Sequence, residues 1–218
     1  MKVVIIGQGG HSKVIQDLIE TNNELEVIGY LDDQYKGLVK KEGVYQGAID
    51  SAIQLVGLID EIKFIIAIGQ NQLRKWIFQR LAFENEAYVS IIHATACISP
   101  SAQIGFGTVI MPYAVVNANS QIGNHSIINT SSVIEHDVQI HDFVHISPNA
   151  TLTGSVLVEQ GVHVGAGAIV IPGLKVGEWS VIGAGATVTK HIPAQCTAVG
   201  IPAKVKMKEG KNIVEYRE

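Results

Sequence analysis

Residues 98–140 read ISPSAQIGFGTVIMPYAVVNANSQIGNHSIINTSSVIEHDVQI, with an aliphatic side chain at every sixth position. The register continues unbroken to 188: Ile98, Ile104, Ile110, Val116, Ile122, Ile128, Ile134, Ile140, Ile146, Leu152, Val158, Val164, Val170, Val176, Ile182 and Val188. Two residues before each stands a small side chain in most repeats, as at Ala102, Thr108, Ala114, Ser120, Ser126, Ser132, Ala150, Ala168, Ser180 and Ala186. A helical period of 3.6 does not fit sixteen hits at every sixth position, and an ordinary alternating sheet would not need so rigid a repeat. A hexapeptide period points to a parallel β-helix, in which three hexads complete one coil and the chain advances about 4.8 Å. The aliphatic residues then stack inward, the small residues let the corners close, and Gly, Asn or Asp at the turns tolerate left-handed backbone angles.

The segment upstream has a different rhythm. KVVII (2–6) reads as a central strand, GQGGH follows, and SKVIQDLIETN reads as a helix with Val14, Ile15, Leu18 and Ile19 on one side. EVIGYL (26–31) is a second strand ending in Asp32 and Asp33. Strand, glycine-rich turn, helix, strand and acid is the first half of a nucleotide-binding unit. Ser12 stands where a dinucleotide fingerprint has its third glycine. Residues 34–62 are broken by Gly37, Gly43 and Gly47, with a short helix expected at 51–59. KFIIAI (63–68) is a strand, Gly69-Gln70-Asn71 a turn, and 72–83 a helix with Asn71 as its cap and Leu73, Trp76, Ile77, Arg80 and Leu81 at helical spacing. AYVSII (87–92) is expected to be the last strand of a small parallel sheet with helices on both faces. The expected organisation is an α/β Rossmann-like domain at 1–92, a β-helix with a C-terminal cap at 93–208, and a loose tail at 209–218.

The bulk numbers bound the function. In 218 residues, 47% hydrophobic content supports real cores, and a net charge of −4 does not suggest a nucleic-acid partner. The five-residue apolar run after Lys2 is too short for a signal peptide, and no run of eighteen apolar residues suggests a membrane span. The two cysteines, Cys97 and Cys196, fit no metal or disulfide pattern. A cytoplasmic protein is expected.

Four constellations stand out. The first is the set of loops carrying Gly9, Gly10 and His11, Asp32 and Asp33, and Gly69, which meet at the carboxyl ends of parallel strands and form a ligand crevice if the strands are adjacent. The second is Glu135, His136, Asp137, His141, Asp142 and His145, three histidines and three acids on a solenoid. His136 lies two past an inward position, so its ring should face out, where Asp137 can hold the imidazole as a general base. A plain polar corner and a metal site are the alternatives, although the spacing matches no zinc pattern. Third, His145 and His163 are eighteen residues apart and should stack on one face. Fourth, small residues around Ala166, Ala184 and 200–203 would leave a shallow wall for a slender ligand, with Lys190, Lys204 and Lys206 available for a phosphate. Ordinary corner chemistry would also place small residues there.

The hexads, with IGQGGH (6–11), LDD (31–33), IAIGQN (66–71), MPYAVVNANSQIG (111–123), NTSSVIEHDVQIHDFVHISPNA (129–150) and VGIPAK (199–204), resemble the left-handed β-helix acyltransferases. Within these the layout is similar to the group of sialic-acid O-acetyltransferases and UDP-bacillosamine-type sugar N-acetyltransferases. The resemblance covers nearly the whole chain. It implies an enzyme, a homotrimer, that transfers acetyl from acetyl-CoA to an amine or hydroxyl of a nucleotide sugar in glycan or polysaccharide biosynthesis. On it, His136 is the general base and Asp137 its acidic partner, where the bacillosamine-type pattern has Glu. His145 contacts acetyl-CoA, and Gly9, Gly10, His11, Asp32, Asp33 and Gly69 form the nucleotide-sugar pocket. N-acetylation of a UDP-4-amino sugar, by direct attack without an acyl-enzyme, is the expected reaction. O-acetylation of a sialic-acid-like sugar, or a non-catalytic sugar-nucleotide scaffold, remains open at this point.

Overall fold

The computed structural model describes residues 1–206; the expected tail at 209–218 lies outside the described residues. The N-terminal part is a five-stranded sheet of β1 (Lys2–Ile6), β2 (Glu26–Leu31), β3 (Val39–Lys41), β4 (Val44–Gly47) and β5 (Ile62–Ile66), in the order β3-β4-β2-β1-β5. All pairs are parallel except β3–β4, a hairpin within the segment that glycines left unassigned. β1 lies between β2 and β5, and its alternate residues serve two cores. Val4 and Ile6 pack with α2 (Ser51–Leu58) and α3 (Asn71–Leu81) through Leu55, Ile77 and Leu81. Val3 and Ile5 pack with α1 (Gly10–Glu20) through Ile15, Leu18 and Ile19, and with Ile91, Val109 and Met111 of the coil. One core therefore spans the junction of the two parts.

The coil is a three-sided prism of two-residue rungs. Each rung pairs in parallel with rungs eighteen residues away, as Val133–Ile134 does with Val115–Val116 below and Thr151–Leu152 above. The three faces carry six, five and eight strands. From Ile110 onward, every inward aliphatic of the sequence pattern is buried. The small residues close the corners as expected, and the hydroxyls among them are bonded: Ser120 Oγ donates to the Glu135 carbonyl and Thr108 Oγ1 to that of Gly123. One residue per hexad from Gly107 to Gly185 is left-handed, with φ between 52° and 72°. These residues include Tyr113, His125, Phe143 and Trp179 as well as the expected Gly, Asn and Asp. Their backbone strain is offset by a corner hydrogen bond to the coil below, such as Asp137 N–H to the Ala118 carbonyl and Phe143 N–H to that of Asn124.

Three sequence expectations are corrected. The expected strand 87–92 is divided: Tyr88 bridges to Phe64 of the N-terminal sheet, whereas Ile91–Ile92 pairs with Val109–Ile110 as the first rung of the coil, with Ile92 six residues before Ile98 on the hexad register. Asn71 does not cap α3. Gln70 takes the N-cap, and the Asn71 amide donates to the carbonyls of Gly161 and Val162 on the coil. The buried face of α3 is Asn71, Arg74, Ile77 and Leu81, while Leu73 and Trp76 are exposed. The apolar stripe was misplaced because a buried arginine substitutes for an aliphatic residue on it. At the other end, Thr197–Val199 adds a rung above Val181–Ile182, and Lys204–Lys206 folds back antiparallel on it.

His125 sits in the junction among aromatic rings. It stacks on Phe143 at 5.2 Å and 7°, and meets Phe78 at 4.6 Å and Tyr88 at 4.7 Å. Neither ring nitrogen has a partner among the described residues. Burial, with the Arg74 charge, lowers its pKa to about 3. Between that value and about 6.5, the unfolded chain binds a proton that the fold rejects, so stability falls as pH drops through this window and is level above it. His125→Phe keeps the stack, and Phe143 already occupies the same left-handed position one coil on. The variant should be at least as stable as the parent near neutrality and should lose less stability at about pH 5, as urea midpoints at the two pH values would show. An unchanged pH slope would remove His125 as a source of acid sensitivity.

Candidate active site

His136 and Asp137 stand at a corner of the prism with their side chains outward, His136 being 60% exposed. Asp137 is the left-handed residue of its hexad, with φ 60°. Its Oδ2 accepts a hydrogen bond from His136 Nδ1 at 2.8 Å, and its Oδ1 accepts one from Asn119 Nδ2 at 3.2 Å. The His136 bond, then the Asn119 bond, hold the carboxyl below its ordinary range. A carboxylate only accepts, so Nδ1 carries a proton, and the neutral form of the ring has its lone pair on Nε2. Against the ring lies Gly154, one coil up: a Cβ added there would sit 2.6 Å from both Cε1 and Nε2 of His136. The absent side chain is what lets the imidazole lie across the corner.

The other members of the acid–histidine cluster disperse. His141 and Asp142 occupy the next corner, where Asp142 Oδ1 accepts the Asn124 N–H at 2.7 Å. His145 lies on the following face, stacked on His163 at 4.8 Å and 22° as the eighteen-residue step required. Asn129 Nδ2 meets His145 Nε2 at 3.1 Å, and Ser147 Oγ meets His163 Nε2 at 2.9 Å. Ala166 and Ala184 are exposed at a third corner, one coil apart, with Gly185 N–H donating to the Ala166 carbonyl. Lys204 is exposed on the terminal hairpin.

The first constellation lies on the loops that follow β1, β2 and β5, and these strands are adjacent in the order β2-β1-β5. Gly7 makes the tight exit from β1: its φ is 100°, and a Cβ would lie 2.4 Å from Ile68 Cδ1. Gly9 is the N-cap of α1, and Gly9, Gly10 and Gly69 have open space where a Cβ would be. Bare backbone at a helix start suits an anion. The two acids divide their tasks. Asp32 accepts the N–H groups of Gln8 and Gln34, which shapes the loop. Asp33 pairs with Arg80 at 2.6 Å, and Arg80 also reaches Asp50 at 2.7 Å.

Residues 2–81 match the family described as PglD N-terminal domain, and 101–136, 120–154 and 155–190 match bacterial transferase hexapeptide (six repeats). The perosamine N-acetyltransferase of Caulobacter crescentus, solved as a histidine variant with CoA and GDP-perosamine, is 32% identical, with a TM-score of 0.85 over 95% of this chain and 97% of that one. The chain belongs to the hexapeptide-repeat acyltransferases of the left-handed β-helix fold. The acetyltransferase domain of PglB from Neisseria gonorrhoeae, in complex with acetyl coenzyme A, is 34% identical, with a TM-score of 0.82 over 94% of this chain and 98% of that one. UDP-N-acetylbacillosamine N-acetyltransferase of Bacillus subtilis is 45% identical over 109 residues, which are 50% of this chain and 50% of that protein. The match thus spans about half the length of that curated relative.

In this acyltransferase the imidazoles near the crevice are kept neutral. His145 is lowered to about 3, first by burial and then by electrostatic coupling to His163, Arg74 and His11, with the Gly69 backbone opposing them. His11 falls to about 4 through burial and Arg74. His163 is lowered by the same two causes. The period alone did not single out Gly154, Asn119, Asn129 or Arg74. The first two are one coil from His136 and Asp137, so the eighteen-residue step is the signal that finds them. Gly154→Ala should leave the fold intact and displace the His136 ring. Acyl transfer should then fall by about tenfold to a hundredfold, the cost of misplacing a reacting group by about 1 Å. Steady-state rates alongside thermal melts check this, and parental turnover in a well-folded variant would show that the ring need not lie over position 154.

Proposed function

We propose that the protein transfers acetyl from acetyl-CoA to the free amine of a nucleotide-linked amino sugar, with His136 as general base. The observation that carries this reading is the outward His136–Asp137 pair, its Nε2 free over Gly154, in a chain that aligns along 95% of its length with a relative solved with CoA and GDP-perosamine. Gly9, Gly10 and the start of α1 would hold the diphosphate, with Asp32 orienting the loop around the nucleoside. His145, His163, Ala166, Ala184 and Lys204 would line the path of the CoA arm. The amine attacks the thioester carbonyl as its proton passes to His136 Nε2; the C–S bond then breaks and the imidazolium returns that proton to the departing sulfur, giving CoA thiol. Asp137 keeps the imidazole in the tautomer this needs. Neither cysteine takes an acyl group in this scheme: Cys196 is buried and Cys97 lies on an outward rung.

The nucleotide is proposed as UDP and the sugar as a 4-amino-4,6-dideoxy hexose. The 45% identity to the Bacillus subtilis protein supports this choice over GDP. We also propose that the enzyme is a homotrimer. One face of the prism presents Cys97, Val115, Val133, Thr151, Ile169 and Thr187 outward, whereas the next presents Gln103, Gln121 and Gln139. A column so poor in charge favours contact with other copies. No helix among the described residues is long and apolar enough to cross a membrane. A cytoplasmic location is proposed with it, in keeping with two free thiols.

The test is release of CoA thiol with a panel of UDP- and GDP-amino sugars, CMP-sialic acid and free sialic acid, with mass analysis of the product. A UDP-amino sugar should turn over fastest and gain one acetyl on nitrogen. Turnover of a sialic acid alone, or acetyl on oxygen, would overturn the N-acetyl reading, and a monomeric mass in light scattering would overturn the trimer.

A further inference from the structure

The chain has two tryptophans: Trp76 is on α3, and Trp179 is at the corner between the rungs Lys175–Val176 and Val181–Ile182, a different corner from that of His136. Trp76 and Trp179 line one open cleft of about 480 Å³ with Gln72, Lys75, Gln79 and Gln195. Its volume is in the range of small-molecule sites. Gln72, Lys75, Trp76 and Gln79 are spaced i, i+3, i+4 and i+7, so α3 offers one outer face to it. Trp179 is the left-handed residue at a corner, with φ 54°, and its indole lies flat over Gly161, where an added Cβ would sit 2.3 Å from Cε3. The Lys75 ammonium is 5.1 Å from the Trp179 ring centroid and 3.1 Å from Gln160 Oε1. Trp76 is 50% exposed, and the Arg80 guanidinium, itself fixed by Asp33 and Asp50, lies 5.1 Å from its ring centroid. Both indoles are thus held by fixed cations, yet neither is used to seal a core.

From this arrangement we propose that the cleft between α3 and the Trp179 corner is a second binding site, for a saccharide. An indole offers a flat apolar face to the C–H side of a pyranose ring, and its exposed area is large enough to anchor one. Each glutamine amide carries two donors and an acceptor, which suits neighbouring hydroxyls. Lys75 adds a point charge for an acidic substituent. Among the described residues no carboxylate lines the cleft to repel one. A nucleotide would stack as well, but the cleft is open and shallow, with a single lysine to meet its phosphates.

Because both tryptophans line this cleft, their emission reports on it directly in the assembled full-length protein. Titration with neutral and uronic-acid-containing oligosaccharides should give a saturable change in emission. Trp76→Ala should weaken saccharide binding about tenfold, as expected for losing one stacking anchor. Acetyl transfer should be unchanged in the same variant, because Trp76 has no place at the His136 corner. Trp179→Phe keeps a ring over Gly161 and should give an intermediate affinity. The proposal is overturned if oligosaccharides leave the emission unchanged, if only nucleoside monophosphates change it, or if Trp76→Ala binds saccharide like the parent. Emission that shifts with protein concentration alone would overturn it too, since a second copy would then fill the cleft.

Discussion

His136→Ala should lower the proposed acetyl transfer by about 10²–10⁴, the usual contribution of a positioned base. The side chain is 60% exposed, and among the described residues its one hydrogen bond is to Asp137. Truncation therefore removes chemistry and little packing, and stability should change by no more than about 0.5 kcal/mol. The loss should fall on kcat, since the proton moves only in the transition state. Asp137→Asn keeps the size of the partner but removes the pure acceptor. Its amide can present N–H to Nδ1 and turn the imidazole into the wrong tautomer, so this variant should lose less than His136→Ala and more than twofold. Steady-state rates for both, with melts to confirm the fold, decide the matter. Retention of His136→Ala turnover within about threefold would falsify the base assignment.

Arg74→Ala should destabilise the protein by about 3–5 kcal/mol, the range for stripping the partner from a buried charged network. Arg74 is 1% exposed. Its Nε donates to the His125 carbonyl at 2.7 Å, Nη1 to those of Ile68 at 2.8 Å and Gly69 at 3.2 Å, and Nη2 to Asn71 Oδ1 at 2.8 Å and the Phe143 carbonyl at 3.2 Å. None of these partners is a carboxylate. Burial lowers the guanidinium to about 9, so it still carries its charge at neutral pH, held by oriented carbonyl dipoles. These carbonyls belong to the β5–α3 loop and to two successive coils, so one side chain fixes the crevice relative to the His145 face. Alanine would leave them buried and unmet. Arg74→Met fills more of the volume but restores no donor, so it should recover only part of the loss, while Arg74→Lys should recover more. Urea unfolding of the three variants is the measurement; equal stability of the methionine variant and the parent would show that volume alone matters.

The reach of the sequence differs between the two parts of the chain. The coil was legible because a solenoid repeats: each hexad faces the same geometric demands, so the inward aliphatics at Ile110 or Val164 declare themselves without knowledge of anything distant. The same regularity gave the outward setting of His136, its neighbour Asp137, and the His145–His163 stack. The period also hid detail. His125, Phe143 and Trp179 occupy left-handed corners that favour glycine, and only the packing around each shows why an aromatic ring stands there.

In the N-terminal part, the buried strands β1, β2 and β5 announced themselves through short apolar runs, and the glycine-rich turn announced the crevice. What the sequence by itself determined is therefore the prism, the crevice and the candidate base. Tertiary structure alone decided that Arg74 and Asn71 turn inward to meet carbonyls at 125, 143, 161 and 162, that Asp33 belongs to Arg80, and that Trp76 meets Trp179 across a cleft. The reason is separation: these contacts join residues about 50 to 100 positions apart, and all but the Asp33–Arg80 pair, which lies within the N-terminal part, depend on how two differently periodic units dock, which no local period encodes.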